Sequence, residues 1–454
     1  MERKGTVRVR APLAHPAPSV PLLALALAAL LQTPPPPDTT ETLPAEPPPA
    51  VEVIDSVIEE EGQYDEDGED DGPGVTFRPR LAPSALYSNN YGFGIGGGVG
   101  IRNLGWDGSD IVVDVRLQQR LQSAGVTVFT DDPYESDLYG LVRVGGSTTN
   151  RRRYFGLGPY TVAENEIFLL HDAAQAEARL GAYPLGSTAL LLQPSVRFLY
   201  DHSGGVNEGA SDGSLAVLDE ASREAVQIAE DRDRYGLSVG LEVATDLRDW
   251  RSYPRSGSFF TVEARRFYAL DESDLRFNRY SATAIGYLPI RGRTTLIARG
   301  VGILTRSDDA DGDGLSDSIP FYYLPTLDDR VATAFREDRL TGRDVAAVGL
   351  GIRAPVYDFL GVYGIDALVM GFLGNAYDDV FSQFEPRISF SEQALPGPDG
   401  QAPLRPSIGL GLGVVNLDKE RVVIGGLLGI GPGGVTLATL QVAYDLRDAR
   451  PLFR

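Results

Sequence analysis

From Arg78 onward the chain repeats one unit: a stretch of alternating apolar and polar residues, a turn, then another such stretch. In Ile111–Leu121, Val113, Val115, Leu117 and Leu121 fall on one side, and Asp114, Arg116, Gln118 and Arg120 on the other. In Tyr235–Arg248, Tyr235, Leu237, Val239, Leu241 and Val243 oppose Ser238, Gly240, Glu242, Asp246 and Arg248. Side chains of a strand point alternately to opposite faces, so each segment has one greasy and one wet face. Many such strands, with polar residues where a soluble core would need apolar ones, describe an all-β transmembrane antiparallel barrel. Its outer face meets lipid and its interior is polar. The pattern predicts strands at 78–87, 91–103, 110–121, 125–131, 137–148, 166–183, 188–202, 233–247, 257–270, 275–290, 294–305, 343–355, 362–375, 405–417, 419–430 and 433–446. That is about sixteen, an even number, as bacterial single-chain barrels have.

The connections test this count. With a periplasmic N-terminus, gaps after odd strands face outward and should be long. The longest are Ser203–Arg232, Arg306–Gly342 and Ala376–Leu404, after strands seven, eleven and thirteen. Gaps after even strands are short, as at Leu185–Ser187, Arg291–Arg293 and Asp358–Gly361. A helical membrane protein is excluded by the mean hydropathy of -0.12, because each helical span needs a run of about twenty apolar residues.

About half of the excess charge and the low-complexity sequence precede the barrel. Arg3, Lys4, Arg8 and Arg10 lead into the apolar run Val20–Leu31 with a small-residue Ala26-Leu27-Ala28 pattern, which reads as a secretory signal over residues 1–32. Residues 33–77 are Pro-rich and then acidic. Glu52–Asp71 holds eleven acids and no Lys or Arg, half of the net charge of -22. Such a stretch reads as a disordered periplasmic linker. The barrel is expected over 78–454. The chain has no Cys, which excludes disulfides, thiolate metal sites and a Cys nucleophile. The charge balance argues against nucleic acid, which selects a basic face.

The glycines Gly92, Gly94, Gly96, Gly97, Gly98 and Gly100 lie in the second predicted strand, where they permit a bend or close approach rather than cradle phosphate. Leu218, Ala221, Ala225, Ile228 and Ala229 have helical spacing and predict a short helix within Leu215–Ala229 on an outer loop. Asp309, Asp311, Asp313 and Asp317 occupy positions one, three, five and nine of a calcium-type loop with Gly314 at its turn, although position twelve is Pro320. The readings are weak calcium binding or a solvated acidic loop, and no cofactor is required. Of the three His, His171 and His202 fall near strand ends, and the expected position is the surface or rim. No Ser–His pairing or acid–base pair stands out, so the expected class is not an enzyme. Arg151–Arg153 is expected to pair with acids.

Three stretches resemble the bacterial surface antigen family, the barrel domain shared by BamA- and TamA-type outer-membrane assembly proteins. They are Arg153-Tyr154-Phe155-Gly156-Leu157-Gly158; Asp246-Leu247-Arg248-Asp249 with Tyr253-Pro254-Arg255-Ser256-Gly257; and Pro320–Pro325 with Phe335–Leu340. The resemblance spans about Arg78 to Arg454. It implies an outer-membrane protein, non-enzymatic, that assembles or translocates proteins or lipids, with outer-membrane lipid around it and unfolded outer-membrane proteins or lipids as clients. It implies that the sixth outer loop folds back into the barrel, and that the barrel opens between its first and last strands. The family's loop Arg and Gly fall on Thr333 and Ala334, beside Phe335, and the acid it meets on the wall falls on Phe372. Both halves of that locking pair are therefore missing together, which avoids an unpaired inward charge. Arg336 or Arg339 could replace the contact through Asp246, Glu263 or Asp249. The polypeptide-transport-associated domains of the family have no counterpart before the barrel. A passive pore or surface-exposed binding barrel that lost the insertase machinery is the alternative.

Overall fold

In a computed structural model the described residues are 84–442, apart from 89–90, 103–108, 130–137, 185–189, 208–214, 228–231, 250–252, 272–274, 308–318, 328–337, 392–399, 418–420 and 432–433. The signal, the linker and the first half of the first predicted strand lie outside them. The strands are β1 (Ser84–Ser88), β2 (Gly92–Arg102), β3 (Asp110–Gln118), β4 (Leu121–Phe129), β5 (Leu138–Tyr154), β6 (Ile167–Ala182), β7 (Leu191–Val206), β8 (Arg232–Asp246), β9 (Gly257–Ala269) and β10 (Arg276–Arg291). There follow β11 (Thr294–Ser307), β12 (Thr326–Leu327), β13 (Leu340–Thr341), β14 (Asp344–Phe359), β15 (Tyr363–Tyr377), β16 (Phe384–Ile388), β17 (Ala402–Asn416), β18 (Arg421–Gly431) and β19 (Gly434–Val442). Two helices interrupt them, α1 (Glu220–Gln227) and α2 (Val380–Gln383).

One large sheet of 17 strands holds all but β12 and β13, which pair with each other. Its members run antiparallel to their neighbours except β16, which lies parallel against β17. The neighbours follow chain order, and β19 pairs in turn with β1, so the list of partners returns to its start. The sixteen predicted strands each find a counterpart among these elements. Several boundaries move: β5 runs to Tyr154, past its predicted end at 148, and β7 to Val206, past 202. The turn between β3 and β4 falls at Gln119-Arg120, not after Leu121, so Leu121 opens β4 instead of closing β3. The carbonyls of Phe93 and Tyr91 on β2's side accept from the Gln119 and Arg120 amides and pull the turn forward. The loop helix is also shorter than predicted: a 3-10 turn at Leu215–Val217 precedes α1.

The alternation of the sequence becomes the two faces of the wall. On β8 Arg234, Ser238 and Glu242 are buried, while Tyr235, Val239 and Leu241 are exposed. On β14 Leu350 is 66% exposed, and on β7 Phe198 is 50% exposed. An apolar face this open is unstable in water and stable in hydrocarbon. Aromatic rings collect at both margins of that face. Tyr200 and Tyr235, with centroids 5.3 Å apart, lie toward the long connections. Tyr357, Phe359 and Tyr363 stack in series at the short-turn margin, at 6.5 Å and 5.7 Å. Tyr and Phe favour the boundary between acyl chain and water, and paired girdles mark the limits of a membrane-embedded band.

Candidate functional site

The interior is occupied by the connection between β11 and β14. Residues 319–327 enter it as Ile319-Pro320, a 3-10 turn Phe321–Tyr323, Leu324-Pro325 and β12. The prolines restrict the backbone on either side and the three aromatic side chains then radiate from one turn. Phe321, Tyr322, Tyr323 and Leu324 are buried in one cluster with Tyr154, Ile167, Leu169, Phe267, Phe277 and the α1 residues Ala225 and Val226. Phe267 and Phe277 stack at 4.6 Å, and Tyr323 leans on Phe267 at 4.7 Å. Phe321 meets Tyr154 at 4.9 Å and lies 5.5 Å beneath the Arg152 guanidinium. Arg279, on the inner face of β10, donates to the Tyr323 carbonyl. Burial pushes the phenols of Tyr322 and Tyr323 well above the usual tyrosine range, so both rings stay neutral in place.

His171 belongs to this seat. It is buried on the inner face, stacks on Tyr322 at 5.2 Å and lies between Arg152 at 3.2 Å and Asp201 at 3.2 Å. The rim position expected for it is therefore corrected, because β6 continues past it and the loop covers it. His202 does lie on the outer side, 3.0 Å from Asp233.

The loop's return is held at a second place. β12 and β13 form a two-residue ladder, and their Leu327 and Leu340 join Ile285, Tyr287, Ile297, Val345, Ala347, Met370, Phe372 and Ala376 in an apolar cluster. Phe372, the position that the sequence resemblance matched to a family acid, is 2% exposed and forms part of this seat. The inner wall is apolar at this position.

The Arg-Tyr-Phe-Gly-Leu-Gly segment closes over the returning chain. Gly158 N–H donates to the Thr341 carbonyl at 2.7 Å, and Leu157 bridges Thr341 in parallel. Gly156 and Gly158 have φ of +105° and +79°, a conformation side chains disfavour, and this lets the segment fold back. Arg339 donates to the Thr161 hydroxyl at 2.6 Å and to the Thr161 carbonyl at 2.8 Å, and its guanidinium lies 5.1 Å from the Phe155 ring. Arg405 of β17 reaches the Pro159 and Thr161 carbonyls from the other side. The sequence offered Asp246, Glu263 or Asp249 as partners for Arg339; the partners found are Thr161 and Phe155, because Arg339 lies with the long connections and Asp246 at the short turns. Thr333, Phe335 and Arg336 lie outside the described residues, as do Asp309, Asp311, Asp313 and Asp317.

The remaining motif builds the opposite end. Asp246 accepts twice from Arg248, at 2.8 Å and 2.7 Å. Asp249 accepts from the Arg255 and Ser256 amides at 2.9 Å and 3.0 Å, fixing the β8–β9 turn. Gly257 has φ of +95°, and a Cβ there would lie 2.0 Å from the Leu247 carbonyl oxygen. The turn throws Tyr253 inward. It is 2% exposed, donates to Asp366 of β15, and is covered by the Arg353 guanidinium, which donates to the Pro254 carbonyl. Between the two ends the inner wall carries an ionic band: Glu177 with Arg179 and Arg197 at 2.9 Å each, and Glu242 and Glu263 beside Arg179 and Arg265. Arg153 pairs with Glu166 at 3.1 Å, the acid partner expected for one of the three consecutive arginines.

Sequence reasoning missed two sets of holding contacts, Thr161 with Arg405 at one end and Tyr253 with Arg353 and Asp366 at the other. The inward parity of Arg353, Asp366 and Arg405 on their strands was available, but not which loop would reach them.

No protein-family model matches this chain, and no curated protein matches it. Among solved structures it is similar to BamA from Haemophilus ducreyi lacking POTRA domains 1-3, at 12% identity and a TM-score of 0.55, covering 81% of this chain and 70% of that one. It is also similar to CdiB from Escherichia coli, at 11% identity and a TM-score of 0.48, covering 82% of this chain and 64% of that one. The chain thus has the fold of a BamA-type barrel.

Proposed function

We propose that the chain is an outer-membrane barrel of the surface antigen type, with its N-terminus in the periplasm, that assembles or translocates other proteins or lipids without enzymatic activity. The observation that carries this reading is the seated sixth loop. A pore selected for passive flux gains nothing from an aromatic turn wedged across its interior, whereas a barrel whose wall opens needs its lumen sealed while it does so. Among the described residues the seam pairs β1 with β19 at Leu86–Gln441, Tyr87–Leu440 and Ser88–Thr439. Clients in this reading are unfolded outer-membrane proteins or lipids.

The passive pore or binding barrel has one observation in its favour, Phe372 in place of the locking acid. The two separate in one experiment, since the chain has no Cys of its own. A Leu86→Cys/Gln441→Cys disulfide would pin the seam. Assembly predicts that oxidation abolishes insertion of a client barrel into vesicles and reduction restores it. Single-channel conductance that is large and steady in the intact protein, with client insertion absent in both redox states, would establish the pore instead.

A further inference from the structure

The loop after β15 carries a surface that the packed interior does not use. Phe381 is 79% exposed, Phe390 78%, Ile388 46% and Phe384 44%. Four large apolar side chains so open, within ten residues, are unusual for a loop in water. Their placement follows from β16. Phe384 pairs with Ala402 and Ile388 with Leu404, across an irregularity of register between Glu385 and Ile388, and both side chains are exposed. Leu404 shares its face with Ile408, Leu410 and Leu412, the exposed outer side of β17. Glu385 is the half-buried residue between them. The apolar face therefore extends past Leu404 through Phe384 and Ile388 into the loop, with the Arg387–Glu385 pair between them.

Height fixes what this extension meets. From Leu404 to Leu412 a tilted strand rises about 20 Å, close to the roughly 25 Å of an outward apolar band. Ile388, level with Leu404, stands at the band's upper margin, and the phenylalanines lie there and just beyond. α2 is bolted to that margin: Asp344 accepts from the Val380 amide at 3.0 Å and from Arg306, whose guanidinium lies 6.0 Å from the Phe381 ring.

We propose that Phe381, Phe384, Ile388 and Phe390 form a membrane-docking patch by which this outer loop lies in the headgroup and upper acyl region of the outer leaflet. Continuity with the wall selects a lipid surface as the occupant. The patch would anchor the β15–β17 side of the barrel. The inference rests on the reading of the wall as membrane-spanning, and its test separates the two. Single cysteines at Phe381, Phe390, Leu410 and Glu224 carry an environment-sensitive fluorophore in the full chain, reconstituted in phosphatidylcholine vesicles. Native fold is checked by heat-modifiable mobility for each. Leu410 reports the wall and Glu224, exposed on α1, reports water. The expected result is loss of emission at 381 and 390 to a spin-labelled lipid with its label near the headgroup, with protection from iodide. Quenching of 381 and 390 by iodide as strongly as 224, with 410 quenched by lipid, overturns the patch and leaves the wall. Protection of 381 and 390 from both quenchers overturns it in favour of a second copy of the chain. Failure of lipid to quench 410 overturns the wall reading itself, and the patch with it.

Discussion

At the residue scale, the positions that hold the loop are short-range devices of two kinds. Arg339 serves Thr161 through two parallel donors and lies against an aromatic ring. A lysine keeps the charge but neither the fork nor the stacking. Arg339→Lys is expected to lower unfolding stability by about 1–3 kcal/mol, read by urea titration in detergent, and Arg339→Ala by at least as much. Gly257 is a backbone device. Gly257→Ala combines a positive φ with a Cβ that collides with the Leu247 carbonyl, so refolding yield is expected to collapse, whereas Gly292→Ala, which shares the positive φ at +55° but has open space around it, is expected to fold with a smaller loss of stability. The motif around Gly257 was legible because a turn demands particular residues at particular offsets. The role of Thr161 was not: a threonine carbonyl carries no signature, and it meets Arg339 only through the fold.

At the element scale, the aromatic turn behaves as one unit. Phe321→Ala removes a ring buried in a packed cluster and is expected to cost about 3–5 kcal/mol, measured as the loss of loop protection from protease before the barrel itself unfolds. The same seat has a signed pH dependence. The phenols of Tyr322 and Tyr323 are held neutral by burial. Below about pH 10 neither the seated nor the released loop ionises there, and docking is unaffected. Above it the released loop ionises first, so docking weakens as pH rises further. Protease protection should therefore stay constant from neutral to mildly alkaline pH and fall only beyond that range. Tyr253→Ala acts at the other end, where its loss vacates the space between Arg353 and Asp366; an increase in ion conductance through the barrel is the expected reading. Strand positions were legible at this scale because a two-residue period is a strong local signal. β12, β13 and β16 were not, since two to five residues are too few to show a period, and their pairing is imposed by the wall beside them.

At the scale of the whole molecule, parity along the strands accounts for most of what the sequence disclosed. Once Val239 faces out, Ser238 and Glu242 face in, and the identity of the two solvents follows. What parity leaves open is the filling of the interior. The family resemblance located a loop and a wall position, Phe372, and pointed to a lost charge pair there. The structure has leucines of β12 and β13 packed with that phenylalanine, a replacement of polarity by packing that no single strand reveals. Phe372→Asp is accordingly expected to destabilise by more than a methyl-scale change, because a carboxylate buried among apolar side chains has no partner to repay its desolvation.

The order of the chain gives the seated turn one more consequence. Its socket comes from strands that precede residue 308, and the plug follows them in sequence. A polypeptide collapsing from its N-terminal side would meet a finished cradle, dock, and exclude water from an incomplete cylinder before the strands from β14 to β19 arrive. Closure would then be the final event of biogenesis rather than its nucleus, with the β1–β19 junction as the last joint to set.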